Sequence, residues 1–353
     1  MFSRNIDLAV FFVPAVIALA GVSILSGAAR INSTVMLLLL TQGFGIGPLH
    51  LGLSWFHYAD KRNLAHYTKN ENKLAFVWAP LLAVPITTLL FLWQSKLVLC
   101  AYVLWTIQHL VQQNLGILLL YQNHNSSEIS IDRSILAKTL HSAAAFFAFV
   151  FLYSFLGNNP ALQTVVSAIL ILTGVETTVS CWNYVKSVSN QLILGKRLNI
   201  PATAMWLLAM VFFLPFAVFK GSWDTALFFG LIIHWCQYIG LNWVLTQRKY
   251  PRKQGWENLF VPVNPILLLM SIGTFVSIIV LALNLGALSG DNPLAKVASG
   301  LGLGLLFAHY LQDAFMWRFR DSYNRDSILQ YLKPASMKPV QTETLRTFER
   351  VAQ

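Results

Sequence analysis

The chain has 353 residues, of which 56% are hydrophobic and only 11% charged, with a mean hydropathy of +0.58 and a formal net charge of +11. Soluble globular domains carry fewer apolar and about twice as many charged residues, so the composition excludes an ordinary soluble enzyme and predicts a polytopic membrane protein. A positive balance in a soluble chain would suggest nucleic acid; here the loop charges explain it, and no nucleic-acid partner is expected.

About 20 apolar residues cross a bilayer. On that yardstick the sequence predicts an all-α helical bundle of about ten transmembrane helices, at 7–27, 34–56, 74–93, 97–121, 134–156, 161–183, 201–219, 224–246, 262–285 and 295–317. The first span follows a single arginine and resembles a signal peptide. Its apolar run from Leu8 to Leu25 is long for one, and further hairpins follow, so it reads as an uncleaved span. Breaks fall at Asn158-Asn159-Pro160, at Asp291-Asn292-Pro293 and at a charged run carrying Pro251. No long soluble insert interrupts the pattern. Residues 1–317 therefore form one transmembrane domain, and 318–353 a polar tail. Cys100, Cys181 and Cys236 lie in apolar segments without C-x-x-C spacing and are expected to be buried, inert thiols.

The charges orient this bundle. With ten spans both termini share a side, and only Arg30, Lys96, Lys220 and Lys296 fall on the other, leaving 21 of the 25 basic residues with the termini. Short loops rich in Lys and Arg stay cytoplasmic, so both termini are expected in the cytoplasm.

Ionisable groups inside the spans are costly, and they mark candidate sites. His50 and Glu176 lie about seven residues before the ends of their spans, His309 about eight, and His109 and His234 about twelve. At 1.5 Å per residue these are depths of about 10–18 Å in a hydrocarbon core of about 30 Å. Five helices that run towards the cytoplasm thus carry an ionisable group at one level. Helical spacing adds polar neighbours on the same faces. His50 groups with Ser54 and His57; His109 with Gln112, Gln113 and Gly116; His234 with Gln237 and Tyr238; His309 with Gln312 and Asp313.

The candidate metal ligands are His50, His57, His109, His234 and His309, with Glu176, Asp313, Gln113, Gln237 and Tyr238 as candidate catalytic or supporting groups. Asp313, Gln113 and Gln237 are spaced either to hold the second ring nitrogen of a ligating histidine or to ligate themselves. Glu176 has no local basic partner and reads as a ligand, a proton carrier or a neutral hydrogen-bonder. His57 and His66 fall at or beyond the cytoplasmic edge, and His124 and His141 read as loop and interface residues. Trp105 and Trp235 sit deeper than the interfacial tryptophans and are candidates to line a cavity.

Several neutral imidazoles with a carboxylate suit iron, zinc, copper or manganese. An apolar surround favours a lipid-like substrate, hence non-haem iron and an oxygenase or oxidoreductase served by an electron donor. Two level histidines on facing helices would also suit a b-type haem carrier. A proton or ion path through Glu176, Asp313 and the histidines would suit a transporter, although no matched pair of Gly/Pro-interrupted helices appears.

These motifs resemble those of a largely uncharacterised family of bacterial polytopic membrane proteins. The likeness rests on the histidine-rich stretch His50–His66, on His109 with Gln113 and Gly116, on H-x-x-Q-Y at His234 to Tyr238, and on His309-Tyr310 with Asp313 and Trp317. It covers nearly the whole chain, departs from the family in having Gln108 before His109, and implies a multi-pass protein of the bacterial cytoplasmic membrane. The chain is loosely similar as well to membrane carotene-cleaving dioxygenases, which hold iron with histidines from several helices; that likeness implies iron and an isoprenoid or lipid substrate, with no local motif to transfer. Desaturase-type histidine boxes are absent.

Overall fold

A computed structural model describes residues 4–18, 20, 46–122, 127–155, 160–218, 223–250, 264–287 and 292–332. The described residues are almost wholly helical, with a single isolated bridge between Glu128 and Arg197 and no strand. The helices are α1 (Asn5–Ala18), α2 (Ile46–Phe56), α3 (Lys61–Tyr67), α4 (Asn70–Gln122), α5 (Arg133–Phe155), α6 (Pro160–Ile193), α7 (Ile200–Val211), α8 (Trp223–Lys249), α9 (Pro265–Ala287) and α10 (Pro293–Met316), with a final helical run, α11, over 322–332. Six helices among the described residues are long and apolar enough to cross a membrane. Much of the first predicted span and residues 34–45 of the second lie outside the described residues, as do His124 and the tail beyond 332.

Local chemistry explains most boundaries. α4 is one 53-residue run, yet Gln94 at φ −140°, ψ 68° breaks it between the two predicted spans 74–93 and 97–121. Asn199 and Asn292 cap α7 and α10, each side chain accepting from the backbone N–H three residues on, with a proline in the first turn. α6 overruns its predicted end by ten residues, because nothing breaks the helix before Gly195, which takes φ 79°.

Helices whose apolar faces meet in lipid gain little from the hydrophobic effect, so close contact depends on small residues. A Cβ on Gly304 would lie 2.7 Å from Val84 Cα, and one on Gly300 2.9 Å from Thr88 Cα, so α10 packs against the backbone of the first half of α4. Gly52 approaches Gly273 in the same way, at 2.6 Å, seating α2 on α9. These two seams hold α2 and α10 where their polar faces point inward together.

At one end of the bundle a polar knot ties three segments. Asp60, fully buried, caps α3 by accepting from the backbone of Arg62 (2.8 Å) and Asn63 (3.3 Å), pairs with Lys249 at 2.8 Å, and accepts from Tyr250. Burial pushes its carboxyl up, but Lys249 and these donors outweigh burial and hold it below its ordinary value. Lys249 and Tyr323 both donate to Asn63.

The polar tail gains detail here, and the expectation for the cysteines changes. The first part of the supposed polar tail is folded: α11 buries Ile328 and Leu332, and the Tyr331 carbonyl accepts from Arg248 at 3.0 Å. Tyr323, Ile328, Tyr331 and Leu332 give that stretch an apolar face. Nor are the cysteines all buried, since Cys100 is exposed on the outward face of α4 and the other two are half-buried; all three are free thiols.

Candidate metal centre

Four helices bring their polar faces to one point. α2 supplies His50 and, one turn on, Ser54; the second half of α4 supplies His109; α8 supplies His234 and Tyr238; α10 supplies His309 and Asp313. All are buried except His109, which keeps 9% exposure.

The ring nitrogens face one another. His50 Nε2 lies 3.1 Å from His309 Nε2 and 3.3 Å from His234 Nε2. Asp313 Oδ2 lies 3.6 Å from His309 Nε2 and 3.7 Å from His109 Nε2, and the latter has no hydrogen-bond partner among the described residues. Two groups of potential ligand atoms result, each within 4.8 Å: His50, His234 and His309, and His109, His309 and Asp313.

Hydrogen bonds on the far sides of the rings decide the tautomers. The Nδ1 of His50 is 2.6 Å from the Gly47 carbonyl oxygen, which only accepts, so Nδ1 carries the proton. For His309 the assignment passes along a chain. Tyr238 donates to Asp313 Oδ1 at 2.7 Å, leaving its oxygen to accept from Ser54, 2.9 Å away. Ser54, its proton so placed, accepts from His309 Nδ1 at 2.6 Å. In the neutral rings, Nε2 of both His50 and His309 therefore presents a lone pair, 3.1 Å from the other. Such a pair repels unless positive charge lies between. This is the arrangement of ligating histidines, whose second nitrogen is held by a carbonyl or hydroxyl. The distances agree: with bonds of about 2.1 Å, neighbouring nitrogens on one ion lie roughly 3.0–3.4 Å apart. These buried groups could hold a metal ion.

The surrounding contacts stiffen the site. Trp317 donates to Asp313 Oδ1 at 3.3 Å. Tyr310 stacks on His109 with ring centroids 4.5 Å apart, and its hydroxyl meets Thr106 at 2.8 Å. Trp235, read as a candidate cavity wall, packs beside His50 at 5.8 Å, and Trp105 lies outside it against Tyr310 at 6.2 Å.

Not every candidate joins the cluster. His57 donates instead to Asn242, at 3.1 Å, towards the Asp60 end. Gln113 and Gln237 hold no ring nitrogen: Gln113 donates to the His234 carbonyl at 3.2 Å and to Gln237 at 3.1 Å, and Gln237 reaches Asn114 at 3.5 Å, so these amides brace α4 against α8. Gln112 points away to His141. Glu176 is exposed on α6, facing outward beside Lys138 and His141. Its depth in the span matches the histidines, but its helix packs chiefly on α5, away from them.

The parts that sequence reasoning passed over are Ser54 as a ring holder, the Gly47 carbonyl, Thr106 and Tyr310. Ser54 carried a signal, one turn from His50; the other three become visible only when helices meet. Fold and site together define a helical membrane protein with a buried histidine–carboxylate centre. No known protein-family model, curated protein or solved structure matches the chain significantly.

Proposed function

We propose that the protein is a membrane-embedded metalloenzyme that holds a metal ion, iron in preference to zinc or copper, with His50, His234 and His309, while His109 and Asp313 form with His309 an adjoining ligand group beside it. The observation that carries this reading is the pair of lone pairs facing across 3.1 Å, each on a ring whose other nitrogen is already committed. His309 belongs to both ligand groups but offers only Nε2, so it serves one ion in one group at a time. Three imidazole nitrogens leave positions open to water or substrate, as a catalytic metal requires. Iron there would supply one-electron and oxygen chemistry. The chain's own residues orient the ligands, exclude water, and hold a proton on Tyr238 against Asp313.

The apolar surround supports a lipid or isoprenoid substrate, and a redox cycle requires an electron donor. The two helices flanking the Gln94 break, together with α1, α2 and α8, support the reading of ten spans, and the basic loops support both termini in the cytoplasm, at a bacterial inner membrane if the motif resemblance holds. The resemblances in sequence motif point the same way.

Elemental analysis with an optical spectrum on one purified sample tests the proposal. About one iron per chain without a Soret band is expected. A Soret band would favour haem, although a porphyrin plane has no room between nitrogens 3.1 Å apart. The second reading is a shared proton, which also resolves two facing lone pairs and would belong to a proton-coupled transporter. Metal-free protein from iron-, zinc- and copper-replete cells, with proton-coupled uptake in vesicles, would establish that reading and sink the metalloenzyme.

A further inference from the structure

The two ligand groups share one donor atom, Nε2 of His309, so they are two neighbouring positions for a single ion, and their surroundings differ. The three-histidine position is closed in: none of His50, His234 and His309 keeps more than 3% exposure. The adjoining position is nearer the outside, with His109 at 9% and Asp313 at 6%. Its donors are also uncommitted. Tyr238 and Trp317 both donate to Asp313 Oδ1, which leaves Oδ2 facing His109 and His309. His109 Nε2, 3.7 Å from that oxygen, has no hydrogen-bond partner among the described residues. A buried carboxylate oxygen and a buried ring nitrogen are costly to leave unpaired, and an ion with bonds of about 2.1 Å spans the gap between them.

A way out continues along α4. Gly116 lies seven residues beyond His109 on the same helical face, and it is half-buried. A Cβ there would meet nothing from any other helix within 4 Å, whereas one on Gly300 or Gly304 would strike backbone. Between Gly116 and His109 stands Gln113, also half-buried. Its amide nitrogen is spent on the His234 carbonyl and on Gln237, which leaves its amide oxygen without a partner among the described residues. Uncommitted donors thus run from an open position to the inner group.

We propose that Gln113, His109 and Asp313 form an entry station through which a divalent transition-metal ion passes to His50, His234 and His309, an inference that rests on the metalloenzyme reading above. A dication leaving water for a low-dielectric interior loses solvation, and the Asp313 carboxylate offsets that loss at the first contact inside the wall. His309 Nε2, 3.6 Å from Asp313 Oδ2, then takes the ion over and draws it among the imidazoles. Imidazole is a preferred donor for such ions, so the three-histidine group is the resting position and the station a transient one. A station that lowers the barrier between water and the inner group speeds release as much as uptake. Its removal therefore changes rates and leaves the resting site intact.

Metal-free protein in detergent, mixed with Co²⁺ alone and followed by visible absorption in a stopped-flow instrument, tests this, with release timed by transfer to a chelator. The wild type is expected to bind one Co²⁺ per chain. Asp313→Asn and His109→Phe should slow uptake and release alike by about tenfold or more, while binding one Co²⁺ per chain with the wild-type spectrum at saturation. Gly116→Leu, which fills the open position and removes no donor, should slow both steps as well. Wild-type rates in any of the three, with an unchanged size-exclusion profile, would overturn the proposal. A lost or altered spectrum at saturation in Asp313→Asn or His109→Phe would overturn it too, by making that residue a ligand of the resting ion. A wild type that binds no Co²⁺ would remove the metalloenzyme reading along with it, so the two failures are told apart.

Discussion

His309 is held on both sides of its ring, by Ser54 at Nδ1 and by the cluster at Nε2, and it is common to both ligand groups. His309→Ala is therefore expected to abolish metal binding, whereas His57→Ala, whose ring is tied to Asn242, should leave metal content unchanged. Elemental analysis of the two variants separates them, and equal loss in both would refute the ligand assignment. Ser54 acts through His309: Ser54→Ala should lower metal affinity about 10–100-fold, the usual cost of losing a ring-holding partner, without changing stoichiometry at saturation. Competition against a calibrated chelator measures that shift.

Among the elements, α10 is placed by its glycines. Gly300 and Gly304 allow it to lie against the backbone of α4, and that seam carries His309 and Asp313 inward towards His109. Gly304→Val would force Val84 backbone and α10 apart, at a cost of about 1–3 kcal/mol for an overpacked contact. Both a lower unfolding temperature in detergent and weaker metal binding are expected; a variant with wild-type values in both would show that the seam does not position the site. The break at Gln94 was foreseeable, because two hydrophobic stretches met at a Gln-Ser-Lys interruption. The overrun of α6 was less so, since a helix leaving the apolar core needs only the absence of a breaker to continue.

For the whole molecule, the Asp60 knot joins the linker after α2, the end of α8 and α11. Its carboxyl lies below the ordinary value in the folded protein, so the stabilisation is complete above the usual carboxylate range and is lost as pH falls below about 4, through the lower folded value. Unfolding temperature in detergent should drop over that window in the wild type, and the drop should shrink in Asp60→Asn. Lys249→Met leaves a buried carboxylate unpaired and should cost about 3–5 kcal/mol at neutral pH. An unchanged melting curve would remove the knot from the account.

The sequence by itself determined that this chain is a helical membrane protein and that its intramembrane polar groups recur on particular faces of particular helices. Hydropathy and the 3.6-residue period are local properties, legible without any partner. It also placed His50, His109, His234 and His309 at one depth, since depth is a count of residues along a span. What only the tertiary structure decided is rotation and neighbourhood. Glu176 has the right depth but faces outward, because its helix packs chiefly on α5. Gln113 and Gln237 lie on the right faces but reach backbone and each other before any ring nitrogen. The tautomers of His50 and His309 rest on a carbonyl one turn back and on a hydroxyl from another helix, an arrangement that exists only once the glycine seams let those helices close.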